Sequence, residues 1–309
     1  MTGNEAVKKI IEEVRKAIIG KDEVIIQVMT AIIADGHILI EDIPGVGKTS
    51  LALAFSKAMS LDYNRVQFTP DVLPSDVTGF TMLNKKTGEF EYKKGAIMCN
   101  LFLADEINRT SSKTQSALLE SMEEGTVTVD SVTHKLPTPF NVIATQNPVG
   151  SVGTHMLPES QMDRFMFSLS MGYPKAEDEA KMLKEKFGKN PLDEVRPIID
   201  GKGLEIIKKE VMAVYIHDEI YDYIAKISAA SRNMPEIELG ISPRGSVALM
   251  RAAQACAYTK GRNYVVPDDV NDVLLPCTSH RIIVNARAKA SGILLNGILL
   301  KILREAAVK

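Results

Sequence analysis

The chain is poor in the features that would send it out of a cell or into a membrane. Its three cysteines, Cys99, Cys256 and Cys277, are scattered without paired spacing. That argues against a disulfide framework or a zinc site and points to a reducing cytoplasm. The longest apolar runs, AIIADGHILI and GILLNGILLKIL, are too short and interrupted to span a bilayer. The opening stretch MTGNEAVKKIIEEVRKAIIG is charged throughout, without the apolar centre or small-residue cleavage site of an export signal. Charge of one sign is missing too: 37 Lys and Arg stand against 39 Asp and Glu, a net of -2. No basic surplus exists to draw the chain onto nucleic acid or anionic lipid. Internal repeats and low-complexity stretches are absent.

What is present is ordinary globular composition, 45% hydrophobic and 25% charged over 309 residues. The length suits one large domain or two smaller ones. Residues 4–18 space Val7, Ile10, Ile11, Val14 and Ile18 as a helix does, and Gly20 stops it. Apolar runs at HILI (37–40), NLFLA (100–104) and FNVIAT (140–145) alternate with helical patterns such as TSLALAFSKAM and TQSALLESMEE. Strands alternating with helices imply a parallel sheet covered on both faces, an α/β fold. From about residue 175 the pattern turns to helices alone, as in AEDEAKMLKEKF, HDEIYDYIAKISAASR, SPRGSVALMRAAQACAY and PDDVNDVLLP. The polar stretch GKNPLDEV, 188–195, reads as the hinge. The expected division is residues 1–190 and 191–309, and the second part carries a slight positive excess compatible with head-to-tail packing.

Between a strand and a helix lies EDIPGVGKTS, residues 41–50. In that setting Gly45 and Gly47 can bring consecutive backbone N–H groups onto phosphate oxygens. Lys48 would reach the terminal phosphates and Thr49 would hold Mg²⁺. Asp42 stands where such loops usually open with glycine, before the turn that does the cradling. The alternative is a chance glycine-rich turn. The strand of NLFLADEINR delivers Asp105 and Glu106 to its carboxyl end, where ligands of open α/β sheets bind. One acid to support Mg²⁺ and a second to polarise water is a hydrolase arrangement. Read alone, the same pair could be a helix cap.

Taken together, the segments IEDIPGVGKT, VQFTPDVLPSDVTG, LFLADEINRTSSKTQSALLESMEEGTVTVD, IATQNP, LPESQMDRF, LGISPRG and VVPDDV resemble, in order, the MoxR family of AAA+ ATPases. The resemblance runs nearly the full length. It implies a P-loop AAA+ core, a parallel sheet between helices, followed by a smaller all-helical lid. It implies ATP and Mg²⁺ as cofactors, with Ile19, Gly20, Pro44, Gly45, Val46, Gly47, Lys48, Thr49 and Ser50 around the nucleotide and Thr49 and Asp105 at the metal. Glu106 is then the base, Asn147 the first sensor, Arg164 the finger offered to a neighbouring subunit and Arg244 the second sensor, acting within or between subunits. Ile18, Ile19 and Gly20 match the segment packed on adenine, though core packing explains them equally, and Arg164 could instead pair with Asp163.

The resemblance further implies a ring, a hexamer, and a chaperone-like role on partner complexes, often with a von Willebrand factor A domain protein. Two hairpins are expected, EEGTVTVDSVTHKLP turning at Asp130-Ser131 and TGFTMLNKKTGEFEY turning at Lys86-Thr87-Gly88. The tail VNARAKASGILLNGILLKILREAAVK reads as lid core. The sequence departs from the family pattern at Asp42, at Gly125 and at His155-Met156. His37, His134, His217 and His280 have no metal-ligand spacing and read as structural. Two other readings stay open: a DNA-associated motor, which the lack of a basic stripe disfavours, and a nucleotide-gated scaffold with negligible turnover.

Overall fold

The opening helical pattern becomes α1 (Gly3–Ala17), sealed by a reciprocal cap. Thr2 Oγ1 accepts from Glu5 N at 3.3 Å, and the Glu5 carboxylate accepts from Thr2 N at 2.9 Å. The computed structural model describes residues 2–147, 156–185 and 190–307. After α1 come α2 (Asp22–Ile33), β1 (Ile38–Glu41), α3 (Lys48–Ala58), β2 (Tyr63–Gln67) and α4 (Pro74–Thr78). A hairpin of β3 (Gly79–Leu83) and β4 (Phe90–Lys94) precedes β5 (Leu101–Asp105) and α5 (Ser112–Glu124). A second hairpin, β6 (Thr126–Val129) and β7 (Val132–Lys135), leads to β8 (Asn141–Gln146), α6 (Glu159–Met162) and β9 (Phe167–Leu169). The remainder is α7 (Ala176–Glu185), α8 (Gly201–Met212), α9 (Asp218–Asn233), β10 (Ile237–Leu239), α10 (Pro243–Thr259), α11 (Pro267–Thr278), β11 (Ile283–Val284), α12 (Ala286–Ala290) and α13 (Leu295–Ala307).

Five parallel strands form one sheet in the order β2-β5-β8-β1-β9. Strands β5 and β8 are buried along their whole length, since helices cover both faces. Alternation divides their side chains between two cores. Ile38, Ile40, Leu101, Leu103 and Ile143 join the core beneath α1 and α3, while Leu39, Phe102, Ala104, Val142 and Ala144 join the one beneath α5. At roughly 25 cal/mol per Å² of apolar surface, these layers supply most of what holds the domain together.

The expected parallel sheet and helical lid are both present, with three differences of detail. Strand β2, YNRVQ, was not evident because it is a half-exposed edge strand without an apolar run. Helix α8 adds to the helices expected from the sequence, and Asp200 caps it by accepting from Gly203 N at 2.9 Å. The second half is not wholly helical: β10 and β11 pair antiparallel as a short ribbon, too brief to leave a period in the sequence. Residues 188 and 189 of the expected hinge lie outside the described residues, and its remainder makes one tight turn at Pro191–Asp193. In α13, Ile298, Leu299, Ile302 and Ala306 are buried against α9, which accounts for the apolar tail.

Both expected hairpins form, that of β6 and β7 turning through Asp130 and Ser131 with φ of 49° and 66°. Two positive φ values at the turn match the right-handed twist of the strands. Tyr92 of β4 stacks on His134 of β7 with ring centroids 3.8 Å apart, which joins the two ribbons. Gly125 is the left-handed residue that ends α5, φ 62°, a reason for glycine at that departure from pattern. Met156 is exposed, while His155 lies outside the described residues.

Candidate nucleotide site

The phosphate loop begins where β1 runs out. Gly45 and Gly47 adopt φ of 88° and 98°, and α3 starts at Lys48 with Gly47 as its cap. A Cβ on Gly45 would meet no atom within 4 Å, so the concavity in front of the loop is open. Backbone N–H groups at a helix start behind such a concavity suit an anion. Pro44 and Gly45 are exposed; Val46, Thr49 and Ser50 are half-buried at the first turn. Lys48 is buried, and its Nζ donates to the Asp42 carbonyl at 2.7 Å. Burial draws the Lys48 ammonium below the usual lysine range, opposed by Asp105, Asp42 and Glu106.

Asp42 turns its carboxylate away from that concavity. Oδ2 accepts from Met171 N and Gly172 N, each at 2.6 Å, and from Ser170 Oγ at 3.1 Å; Oδ1 accepts from Ile43 N at 2.8 Å. The carboxylate is thus spent on the segment leaving β9, and the departure from glycine leaves the anion side clear.

Across the sheet, Asp105 and Glu106 end β5. Thr145 on the adjacent β8 joins them: its Oγ1 donates to Asp105 Oδ1 at 2.6 Å and accepts from Glu106 N at 2.9 Å. Glu106 sits at φ 58° and ψ 50°, a left-handed backbone that costs a non-glycine residue about 1–3 kcal/mol. The Thr145 bond to its N–H helps hold it there. Arg65 on β2 donates to Asp105 Oδ2 from Nε at 3.1 Å and from Nη2 at 2.7 Å, and Arg109 Nη1 donates to Glu106 Oε2 at 2.9 Å. Asn147 follows β8 directly, its carbonyl accepting from Asn108 Nδ2 at 3.2 Å. Lys48, Asp105, Glu106 and Asn147 therefore share the carboxyl edge of neighbouring strands.

The two arginines are elsewhere. Arg164 Nη1 donates to Leu119 O at 2.9 Å and pairs with Glu123 Oε2 at 3.0 Å, and Arg244 Nη2 pairs with the other oxygen of Glu123. They line a cavity of about 450 Å³ with Gly36, His37 and Phe140, residues that precede β1 and β8. That is the amino edge of the sheet. Asp163 does not pair with Arg164; it accepts from Arg281 Nε at 2.7 Å and from Ser242 Oγ at 2.8 Å. Arg281, buried, also donates to Phe165 O at 2.6 Å and Met166 O at 3.0 Å. The start of α10, and with it Arg244, is thereby docked on the strand that Arg164 introduces.

Ile18, Ile19 and Gly20 line a cleft of about 630 Å³ with Asp178, Lys181 and Pro191. Ile18 is buried in the core, as the core-packing alternative has it, and Ile19 is half-buried at the rim. Gly20 has φ 71°, and a Cβ there would collide with the Asp178 carboxylate. The loop residues 44–50 do not line this cleft. The segment 171–173 connects the two: Lys21 Nζ donates to Met171 O, to Gly172 O at 3.1 Å and to Tyr173 O at 2.9 Å.

The remaining histidines are accounted for within the fold. His37 Nδ1 accepts from Val142 N at 3.0 Å and Nε2 meets Met122 O at 3.1 Å; His280 Nε2 meets Phe165 O at 3.0 Å; His217 Nδ1 caps α9. Thr145, Arg65, Glu123 and Arg281 were not foreseen. The one signal available for Thr145 was a hydroxyl directly after the apolar run 142–144 of a buried strand.

A loop between strand and helix, paired acids on the next strand but one, and a helical lid after the sheet define a nucleotide-binding protein of the AAA+ class. The model of the ATPase family associated with various cellular activities matches residues 37–167, and an AAA lid domain matches 229–296. The chain is 34% identical to Chaperone MoxR1 of Mycobacterium tuberculosis over 93% of its own length and 78% of that protein. It is 48% identical to the uncharacterized protein YeaC of Bacillus subtilis over 96% and 92%. A crystal structure from Cytophaga hutchinsonii, of a protein assigned provisionally as an ATPase, superposes with a TM-score of 0.90 at 38% identity, covering 98% of this chain and 94% of that one. The chain belongs to the MoxR family of AAA+ ATPases.

Proposed function

We propose that the chain hydrolyses ATP with Mg²⁺ in sites completed between subunits of a ring, a hexamer. The observation that carries this reading is the separation of the candidate residues onto opposite edges of one sheet. Strand β8 is six residues long, so about 15–20 Å lies between the edges at ~3.3 Å per residue. Arg164 and Arg244 are too far from their own phosphate loop to touch a nucleotide there, and both are held by Glu123, Arg164 half-buried and Arg244 exposed. Each therefore acts in trans, on the nucleotide of the next subunit.

The donors fit the cofactors. The open concavity at Gly45 and Gly47 suits a triphosphate, and Ile19 and Gly20 border space for the base. Thr49 and Asp105 offer hard oxygens, and a metal that keeps several waters asks for few protein ligands. Bound Mg²⁺ would supply charge neutralisation at the terminal phosphates. Lys48 leaves the Asp42 carbonyl to meet phosphate oxygens. Asp105, paired with Arg65 in this structure, would support the metal. Glu106, released from Arg109, accepts a proton from water, and Asn147 orients that water with its amide. Arg164 and Arg244 of the neighbour stabilise charge on the transferring group.

The two matched family regions support a division into a core of residues 1–190 and a lid of 191–309. The MoxR kinship supports a chaperone-like task in the cytoplasm, remodelling or maturing partner complexes, among them one with a von Willebrand factor A domain. Hydrolysis measured against protein concentration, with light scattering for assembly, tests the reading. Specific activity should rise with concentration and vanish in Glu106→Gln and Arg164→Ala. Negligible activity at every concentration, with ATP bound, would overturn it.

A further inference from the structure

Asp42 holds two different things at once. Its carbonyl accepts the Lys48 ammonium at 2.7 Å, while its carboxylate accepts the amides of Met171 and Gly172 at 2.6 Å. Both groups are on the buried side of the loop, where a charge-assisted hydrogen bond has little competition from water. The carboxylate's other oxygen takes the N–H of Ile43, the far side of the same peptide whose carbonyl holds Lys48. The orientation of that peptide and of the carboxylate are therefore fixed together.

The segment Asp42 grips is also gripped from its carbonyl side by Lys21, the residue after Gly20. Three residues beyond Tyr173 begins α7, whose Asp178 forms the wall of the cleft against Gly20. The path from Lys48 to the cleft thus passes through Asp42 and then through residues 171–173. Glycine at position 42, the residue usual in such loops, would leave nothing but backbone in that path.

We infer that Asp42 is a positioning residue that couples the filling of the phosphate loop to the wall of the adjoining cleft. The inference rests on the reading that residues 44–50 take the phosphates. When Lys48 leaves for a phosphate oxygen, the Asp42 to Ile43 peptide loses its cation, the carboxylate loosens its hold on Met171 and Gly172, and the segment leading into α7 is freed to settle on a base.

The test uses inorganic tripolyphosphate, which fills the loop without a base, on the full chain. Hydrogen exchange is read at the Met171 and Gly172 amides. In the natural protein these amides should exchange slowly and speed up about tenfold when tripolyphosphate binds, the order expected for losing a hydrogen bond to a charged group. In Asp42→Gly they should exchange fast whether or not the probe is bound. Asp42→Asn, which keeps an acceptor oxygen, should retain part of both protection and response, and serves if the glycine variant fails to fold. Exchange that is unchanged or slower in the natural protein with tripolyphosphate bound overturns the coupling. Titration calorimetry with Lys48→Ala separates the two claims: tripolyphosphate binding that ignores Lys48 sinks the phosphate-loop reading itself.

Discussion

The two edges of the central sheet are built to different standards. At the carboxyl edge, Lys48, Asp105 and Thr145 are buried, and each polar atom has partners a few residues away in space. At the amino edge, Arg164 and Arg244 keep side-chain exposures of 29% and 46%, and share a single carboxylate, Glu123. A pre-set pocket needs its groups fixed before the ligand arrives. A group destined for another subunit's ligand must remain reachable, and two guanidinium groups side by side need an intervening anion to be tolerated. On the function proposed above, the contrast is that of two half-sites, one finished and one offered outward.

The largest expected effect breaks the offered half. Arg164→Ala should lower hydrolysis about 10³- to 10⁵-fold, the range of arginine fingers elsewhere, while ATP affinity of the isolated subunit stays within about twofold. A parallel loss of ATP affinity would mean that Arg164 serves its own loop. Glu123→Gln sharpens the comparison: with its charge gone the two arginines separate, and kcat should drop about tenfold without a change in ATP affinity, the order of losing one charge-assisted contact.

On the finished side, Thr145→Val leaves the Glu106 N–H and an Asp105 oxygen without their shared hydroxyl. Urea unfolding should show a loss of about 1–3 kcal/mol, the cost of orphaning buried polar groups. An unchanged midpoint would mean that water replaces the hydroxyl.

A further effect concerns pH. Burial pulls His37 down to about 4 and His280 to about 3. Their folded forms refuse a proton that the unfolded chain accepts near 6.5, so stability is lost as pH falls below that value. Each contributes a slope of about 1.4 kcal/mol per pH unit between roughly 6.5 and 4. Replacing His37 by Gln should flatten the dependence of the urea midpoint over that window.

The half-sites were not equally legible in the sequence. Lys48 and Thr49 announce themselves, because a phosphate loop is local in sequence, whereas Asp105 and Glu106, which alone could be a helix cap, take their meaning from that loop. Arg164 and Arg244 could be found only by resemblance, and their common neighbour Glu123 not at all: it sits on α5, 41 residues before Arg164 and 121 before Arg244. Arg65 was hidden for a related reason, since an edge strand alternates polar residues whether or not one of them meets Asp105. The sheet followed from three apolar runs, but β9, three residues long, left too short a trace. The place of Asp42 ahead of the turn is legible in the sequence, but its partners at 170–172 are contacts that only the folded chain makes.

On the proposed function, one subunit completes the site of the next. The most direct measurement co-expresses Lys48→Ala with Arg164→Ala, purifies mixed assemblies and compares their ATP hydrolysis with that of each variant alone. Each alone should be inactive, while mixing should restore activity at junctions where an intact loop faces an intact finger. Mixed assemblies as inactive as their parents would mean that no finger reaches a neighbour's loop.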